Sequence, residues 1–311
     1  MTRVPVLLLA VLTCIEGPRA AAPPEGTPQT PVFKAESNLV VLHVNVFDRR
    51  SDAVPDLPRS AFLVVEDDEP QTITFFSNAD VPVAVGLVID NSSSMIARHG
   101  TVVSGTAAFA DSSHPEDQVF TIIFNEHIRL GLPPTVKFTT NRTLVRSTLT
   151  RFPAGGMTAL HDAVIAGLEH LQEASHQKRV LIVLSDGKDN ASRHGKDDML
   201  QRAIRSDALI YTVSTARLGS AESDAKLLRQ LAESSGGVAF FPRTEAQLVR
   251  AFTDIATNVR RGYSLGYTPT NTTHDGRYRR VNVLVRVPGR SNNLRVSARD
   301  GYLAPRHADT H

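Results

Sequence analysis

The run Val83-Ala84-Val85-Gly86-Leu87-Val88-Ile89 constrains this chain more than any other stretch, because it stops abruptly on Asp90-Asn91-Ser92-Ser93-Ser94. An apolar, β-branched run with no alternation is what a strand covered on both faces requires, and such strands belong to parallel sheets with helices on either side. An open parallel sheet binds its ligands beyond the carboxyl ends of its strands, so Asp90, Ser92 and Ser94 carry three hard oxygen donors to that edge in the pattern D-x-S-x-S. Taken singly, a serine here has a simpler use as a helix cap.

Two later stretches complete a set. Val180-Leu181-Ile182-Val183-Leu184-Ser185-Asp186-Gly187 reads as a second buried strand ending on an acid, and Gly155-Gly156-Met157-Thr158 as a flexible loop delivering a hydroxyl ahead of a helix. An Asp-Gly turn and a threonine cap are the ordinary readings of these pieces in isolation. In this order and on these elements they resemble the von Willebrand factor type A (VWA) family, whose metal-ion-dependent adhesion site uses D-x-S-x-S, a Thr and an Asp. Carried over position by position, the resemblance implies Asp90, Ser92, Ser94, Thr158 and Asp186 as ligands, the second aspartate often acting through water in that family. His161 and Asp189 are candidates for the rim, although His161 reads more simply as an exposed first-turn histidine. Lys188, Asp189 and Asn190 shape the loop after Asp186, and Asp162 favours its helix N-terminus electrostatically.

The expected fold is α/β, a doubly wound, mostly parallel, Rossmann-like sheet over residues 81–262. Strands at Val119–Phe124, Ile128–Leu132, Ala208–Val213 and Gly237–Phe241 alternate with helices marked by stripes such as Leu160, Val164, Leu168 and Leu171. The last helix has a capping-box pattern at Thr244 and Gln247 and a stop at Gly262. On either side the chain is β-rich. Residues 36–80 hold strands at Leu39–Phe47, Phe62–Val65 and Ile73–Phe76, the last two joined by the acidic turn Glu66–Pro70, and residues 263–304 hold Tyr263–Tyr267, Val281–Val287, Leu294–Ala298 and Gly301-Tyr302. Neither group has enough strands to stand alone, so the two are expected to pair into one small β-sandwich. Phe75-Phe76, Tyr263 to Tyr267 and Gly301-Tyr302 are similar to the flanks of a bacterial VWFA-related family of secreted proteins.

Arg3, the apolar run Val4–Leu12 and the small residues Ala20–Ala22 predict a secretory signal over residues 1–22, with a Pro-rich linker over 23–35 and a short tail over 305–311. That places the mature chain in the periplasm or outside the cell, with a lipid anchor on Cys14, the sole cysteine, as the alternative. No segment is long and apolar enough to span a bilayer. With 34 Lys and Arg scattered against 32 Asp and Glu, no nucleic-acid footprint is visible, and nothing names an oligomeric state.

Two carboxylates and three hydroxyls suit Mg²⁺ or Mn²⁺, with Ca²⁺ a further choice. These side chains do not fill an octahedron, which leaves a position for a partner's oxygen. The resemblance therefore implies metal-dependent binding of a protein that offers an acidic side chain, and no catalysis. A metal-dependent hydrolase would need a general base, for which His161 is the only candidate, and H-E-x-x-H, G-x-S-x-G and Walker motifs are absent. A structural subunit of an envelope complex is the remaining alternative.

Overall fold

In the computed structural model, which describes residues 39–216, 224–287 and 294–306, the chain starts in a pair of antiparallel sheets, leaves them for an α/β fold, and returns to them. The predicted signal, Cys14 and the linker lie outside the described residues. The first strands are β1 (Val40–Phe47), β2 (Phe62–Glu66), β3 (Glu69–Gln71) and β4 (Ile73–Ser77). The α/β part runs β5 (Ala84–Asp90), α1 (His99–Ser112), β6 (Gln118–Phe124), β7 (Ile128–Leu130), α2 (Arg142–Leu149), α3 (Leu160–Leu171) and β8 (Arg179–Ser185). It continues with α4 (Lys196–Arg205), β9 (Leu209–Ser214), α5 (Ala225–Glu233), β10 (Ala239–Phe240) and α6 (Glu245–Arg261). The closing strands are β11 (Tyr263–Tyr267), β12 (Tyr278–Val285), β13 (Arg295–Ser297) and β14 (Gly301–Leu303).

The central sheet has the order β10-β9-β8-β5-β6-β7, parallel except for β7, which runs antiparallel to β6 at one edge. Every residue of β5 is buried, as an uninterrupted apolar strand demands. Val85, Leu87 and Ile89 face a core shared with Phe109 of α1 and Phe252 and Ile255 of α6. Ala84 and Val88 face the opposite core, with Leu160, Val164 and Leu168 of α3, Met199 of α4 and Leu227 of α5. The sheet is doubly wound, as expected from the alternation of strands and helices.

The flanking strands form two four-stranded sheets, β13-β1-β11-β4 and β14-β12-β2-β3, whose inner faces share one core including Leu42, Val44, Val64, Tyr263, Leu265 and Val283. Strands from both ends of the chain thus make one sandwich. The α/β fold is inserted between β4 and β11, which pair directly, Ser77 opposite Ser264.

Two local expectations are corrected. The acidic run does not join Phe62–Val65 to Ile73–Phe76 as a simple hairpin. Asp67 and Asp68 turn the chain with φ of 45° and 70°, and it returns as the short edge strand β3 before β4 crosses to the other sheet. Pro70 is tolerated in β3 because an edge strand need not donate on its outer side. Gly262 ends α6 in an extended conformation, φ −74° and ψ 160°, and not in the left-handed one that favours glycine. A Cβ there would stand 2.9 Å from Asn45 Oδ1 and 3.0 Å from Asn258 O, so close approach to β1 is what requires glycine. Thr244 caps α6 by accepting from Gln247 N, while Gln247 Oε1 accepts from Arg243 N, one residue ahead of the cap's own N–H.

The flanking aromatic residues are held by specific partners. Tyr267 Oη and Tyr302 Oη donate to Glu66 Oε2 at 2.7 and 2.9 Å, and Arg279 Nη1 lies 3.3 Å from Glu66 Oε1, with Glu66 and Arg279 both buried. Tyr263 Oη donates to Val54 O and accepts from Leu57 N, and its ring packs against Phe62 and Phe76.

Candidate functional site

β5 and β8 are parallel neighbours, with Ile89 opposite Leu184, so both strands deliver their terminal acids to the same edge. Asp90 is 2% exposed and accepts from Ser92 N at 2.9 Å and from Ser185 Oγ at 2.7 Å. Burial pushes its carboxyl above the ordinary aspartate range and the charge of Asp186 adds to this, against the hydrogen bonds from Ser92 and Ser185. Asp186 is itself buried and accepts from Lys188 N at 3.1 Å.

The hydroxyls are not used as caps. Ser92 stands at the N-cap of a short 3₁₀ turn, Ser93–Arg98, yet makes no side-chain capping bond; its Oγ lies 3.1 Å from Ser94 Oγ. Ser92 is buried and Ser94 exposed, so the pair runs from the floor of the site to solvent. The N-cap of α3 is Ala159, which leaves the buried Thr158 outside the helix. Its backbone is clasped by the loop after Asp186: Thr158 N donates to Asn190 Oδ1 at 2.8 Å, and Asn190 N and Ala191 N donate to Thr158 O at 2.9 and 3.1 Å. The simpler readings of these three residues are therefore not what the fold uses them for.

The loop before Thr158 is tied to the other two segments. Gly155 N donates to Asn91 O at 2.8 Å, and Ser93 N and Oγ both donate to Gly156 O at 3.1 Å. Gly156 has φ of 85°, and a Cβ on it would fall 1.9 Å from Glu126 Oε2. Glu126 accepts from Met157 N at 2.9 Å, and its own N–H together with that of Met157 holds its carboxyl below the ordinary glutamate range. Sequence reasoning missed both Glu126 and Ser185. The available signals were an acid two residues past the end of β6 and a hydroxyl beside the terminal acid of β8.

The rim residues are structural braces. His161 is not the exposed first-turn histidine expected from its position. Its ring Nδ1 lies 3.2 Å from His194 O and 3.6 Å from Asp189 Oδ2, with its side chain 13% exposed. Asp189 accepts from His161 N at 3.0 Å and from Ser192 N at 3.3 Å. Asp162 does more than complement a helix dipole: it accepts from Arg193 N, His194 N and His194 Nδ1 at 2.9, 3.0 and 2.7 Å. Against the upward push of burial, those bonds hold its carboxyl below the usual range. Together these contacts stitch the 186–195 loop to the start of α3.

Asp90, Ser92 and Ser94 thus adjoin one another, Asp186 joins them through β8, and Thr158 is fixed by both neighbouring loops. Among the described residues no group of three or more His, Cys, Asp or Glu is gathered as a cage. The donor set is hard oxygen built on two buried carboxylates, Asp90 and Asp186, and it fits an octahedral cation such as Mg²⁺ better than zinc or copper.

Residues 85–188 match the von Willebrand factor type A domain family. Among solved structures, a von Willebrand factor type A protein from Catenulispora acidiphila is 14% identical, covering 89% of this chain and 76% of that one with a TM-score of 0.51. The von Willebrand factor domain of the type V pili tip protein Mfa5 from Porphyromonas gingivalis is 13% identical, covering 58% and 96%, with a TM-score of 0.49. An aerotolerance-related membrane protein from Bacteroides fragilis is 13% identical, covering 57% and 98%, with a TM-score of 0.47. At 14% identity the Catenulispora likeness bears on fold alone. No curated protein matches the chain. The family match thus covers the part of the α/β fold from β5 to the turn after β8, and the domains of that family generally serve as protein-interaction or adhesion modules. No described helix is long and apolar enough to cross a membrane.

Proposed function

We propose that this chain is an exported, metal-ion-dependent protein-binding module, in which Asp90, Ser92, Ser94 and Thr158 hold Mg²⁺ or Mn²⁺ and Asp186 contributes directly or through water. One observation carries the reading: Ser92 lies against the buried Asp90 at the sheet's ligand edge, the buried Thr158 stands on the loop bonded to that segment through Gly155 and Gly156, and neither side chain caps a helix. A bound divalent ion supplies a Lewis-acidic position for an oxygen from outside the chain. The protein's own part is to hold five oxygen-bearing side chains on three cross-bonded loops and to leave the solvent side open at Ser94. A partner's carboxylate fits that opening, because the ligand set carries few charges of its own.

In this reading residues 81–262 form the binding domain, and residues 36–80 with 263–304 form its support. The N-terminal run over residues 1–22 supports export. His161, the base that hydrolysis would need, is engaged by the 189–194 loop, which favours binding over catalysis. Calorimetric titration of Mg²⁺ into the chelator-stripped full chain is expected to give one binding site that Asp90→Ala abolishes. Equal binding by both proteins would refute the site.

A further inference from the structure

The turn joining β2 to β3 carries Asp67, Asp68 and Glu69 in succession, all exposed and followed by the exposed Pro70. Among the described residues none of these acids enters an ion pair, and Asp67 is held only by accepting from Arg280 N at 2.9 Å. Charges beside an edge strand ordinarily serve to keep it from pairing. These acids gain a further meaning from an opposite surface on the same chain.

That surface is a groove of about 450 Å³ between α6 and β10, the end strand of the central sheet. Its helix side includes Arg250, Ala251 and Asp254, and its strand side Phe240, Phe241 and Arg243. Arg229 of α5 stands over the Phe241 ring, 4.5 Å from its centroid. Arg250 is shared by Asp254 at 3.6 Å and Asp52 at 3.9 Å, while Arg229 and Arg243 pair with no carboxylate among the described residues. The groove thus offers aromatic surface and a surplus of cations, and the turn offers a surplus of acids.

We propose that this groove receives the Asp67–Glu69 turn of a second copy, so that the chain associates head to tail. The acids meet Arg229, Arg243 and the exposed Arg250, and Pro70 lies against Phe240 and Phe241. Proline removes an N–H donor from β3, so side chains and not strand pairing make the contact. The turn lies on the sandwich and the groove on the α/β fold. Each contact between two copies therefore leaves one turn and one groove open, and association continues into rings or filaments. Exposed ion pairs are individually weak and screened by salt, so assembly needs concentrated protein and low ionic strength. No candidate metal ligand takes part, and the proposal stands or falls independently of the metal-site reading.

The test is sedimentation velocity of the full chain over a range of concentrations, at about 0.1 M and about 1 M salt, between which the Debye length falls from about 10 Å to about 3 Å. It is run beside a turn variant, D67N/D68N/E69K, and a groove variant, R229E/R243E. Asparagine tolerates the left-handed backbone of positions 67 and 68, at φ of 45° and 70°, and keeps a side-chain oxygen for Arg280 N. Both groove positions are exposed, so that variant also keeps its fold. The average mass of the wild type is expected to rise with concentration at low salt and not at high salt. Each variant alone associates about tenfold more weakly or not at all. Equimolar mixing of the two restores association, because the intact turn of the groove variant meets the intact groove of the turn variant. A variant that associates alone as the wild type does, or a mixture that stays monomeric, overturns the proposal. So does a wild type that stays monomeric at low salt; if it nonetheless binds a poly-glutamate peptide that R229E/R243E does not, the groove takes a foreign acidic segment instead of a second copy.

Discussion

The Ser185 hydroxyl donates to Asp90 Oδ2 at 2.7 Å, linking the ends of two neighbouring parallel strands. The same oxygen accepts from Gly187 N at 3.1 Å, so one hydroxyl orients both the first aspartate and the turn that carries the second. Ser185→Ala is expected to lower stability by about 1–3 kcal/mol, because a buried carboxylate loses a donor. Mg²⁺ affinity is expected to fall about tenfold, as for loss of a partner that orients a ligand. Urea denaturation and calorimetric titration measure the two effects, and wild-type Mg²⁺ affinity in the variant would refute the orienting role.

Asn190 is expected to matter for the same reason at the other side of the site. Its Oδ1 holds Thr158 N while its own N–H holds Thr158 O. Asn190→Ala removes the first of these and is expected to weaken Mg²⁺ about tenfold, whereas Asn190→Asp keeps an acceptor and stays closer to wild type. Equal affinities in the two variants would show that the clasp does not set the position of Thr158.

His43 gives the sandwich a pH dependence of definite sign. It lies on β1 opposite Ser264, and burial, followed by the charges of Lys178 and Arg299, lowers its pKa from 6.5 to about 3. Between those values the unfolded chain binds a proton that the folded chain does not. Its contribution to stability is therefore full above about pH 6.5 and declines as pH falls towards about 3. His43→Gln is expected to flatten this part of the stability profile, measured by urea denaturation from neutral to mildly acidic pH. Parallel profiles for the two proteins would dismiss His43 as the source.

The Glu66 network predicts the largest loss of stability. Glu66→Ala leaves Arg279 buried without its carboxylate and two tyrosine hydroxyls without their acceptor, at a cost of about 3–5 kcal/mol. Tyr302→Phe removes one hydrogen bond and is expected to cost about 1 kcal/mol. Thermal or urea unfolding ranks the two, and a Glu66→Ala protein as stable as Tyr302→Phe would contradict the account. Mg²⁺ binding by the folded variants is expected to match wild type, since no member of the network belongs to the central sheet.

The strands that build the site were legible because burial on both faces leaves a continuous apolar run, as in β5 and β8. Asp90 and Asp186 were legible because an acid ending such a run stands out. The stripe on α3 predicted its buried face for the same reason. What the sequence hid depends on contacts between distant segments. Glu69-Pro70-Gln71 has no strand propensity and becomes β3 only because β2 offers an edge. Gly262 reads as a helix stop, while its actual constraint is Asn45, far away on β1. Glu126, Ser185 and the bracing role of Asp162 follow from which loops meet at the sheet edge, and no local pattern encodes that meeting.

The direct pairing of β4 with β11 has a mechanical consequence. The α/β fold hangs from two strands bonded side by side, so tension applied across the described chain, at residues 39 and 306, is carried by interstrand bonds of the sandwich and bypasses the insert. While β4 and β11 stay paired, the loops holding Asp90, Thr158 and Asp186 are kept slack. Single-molecule pulling is expected to rupture the sandwich first and only then extend the inserted domain, which makes the support a force shield for the site; the reverse order of rupture would refute this.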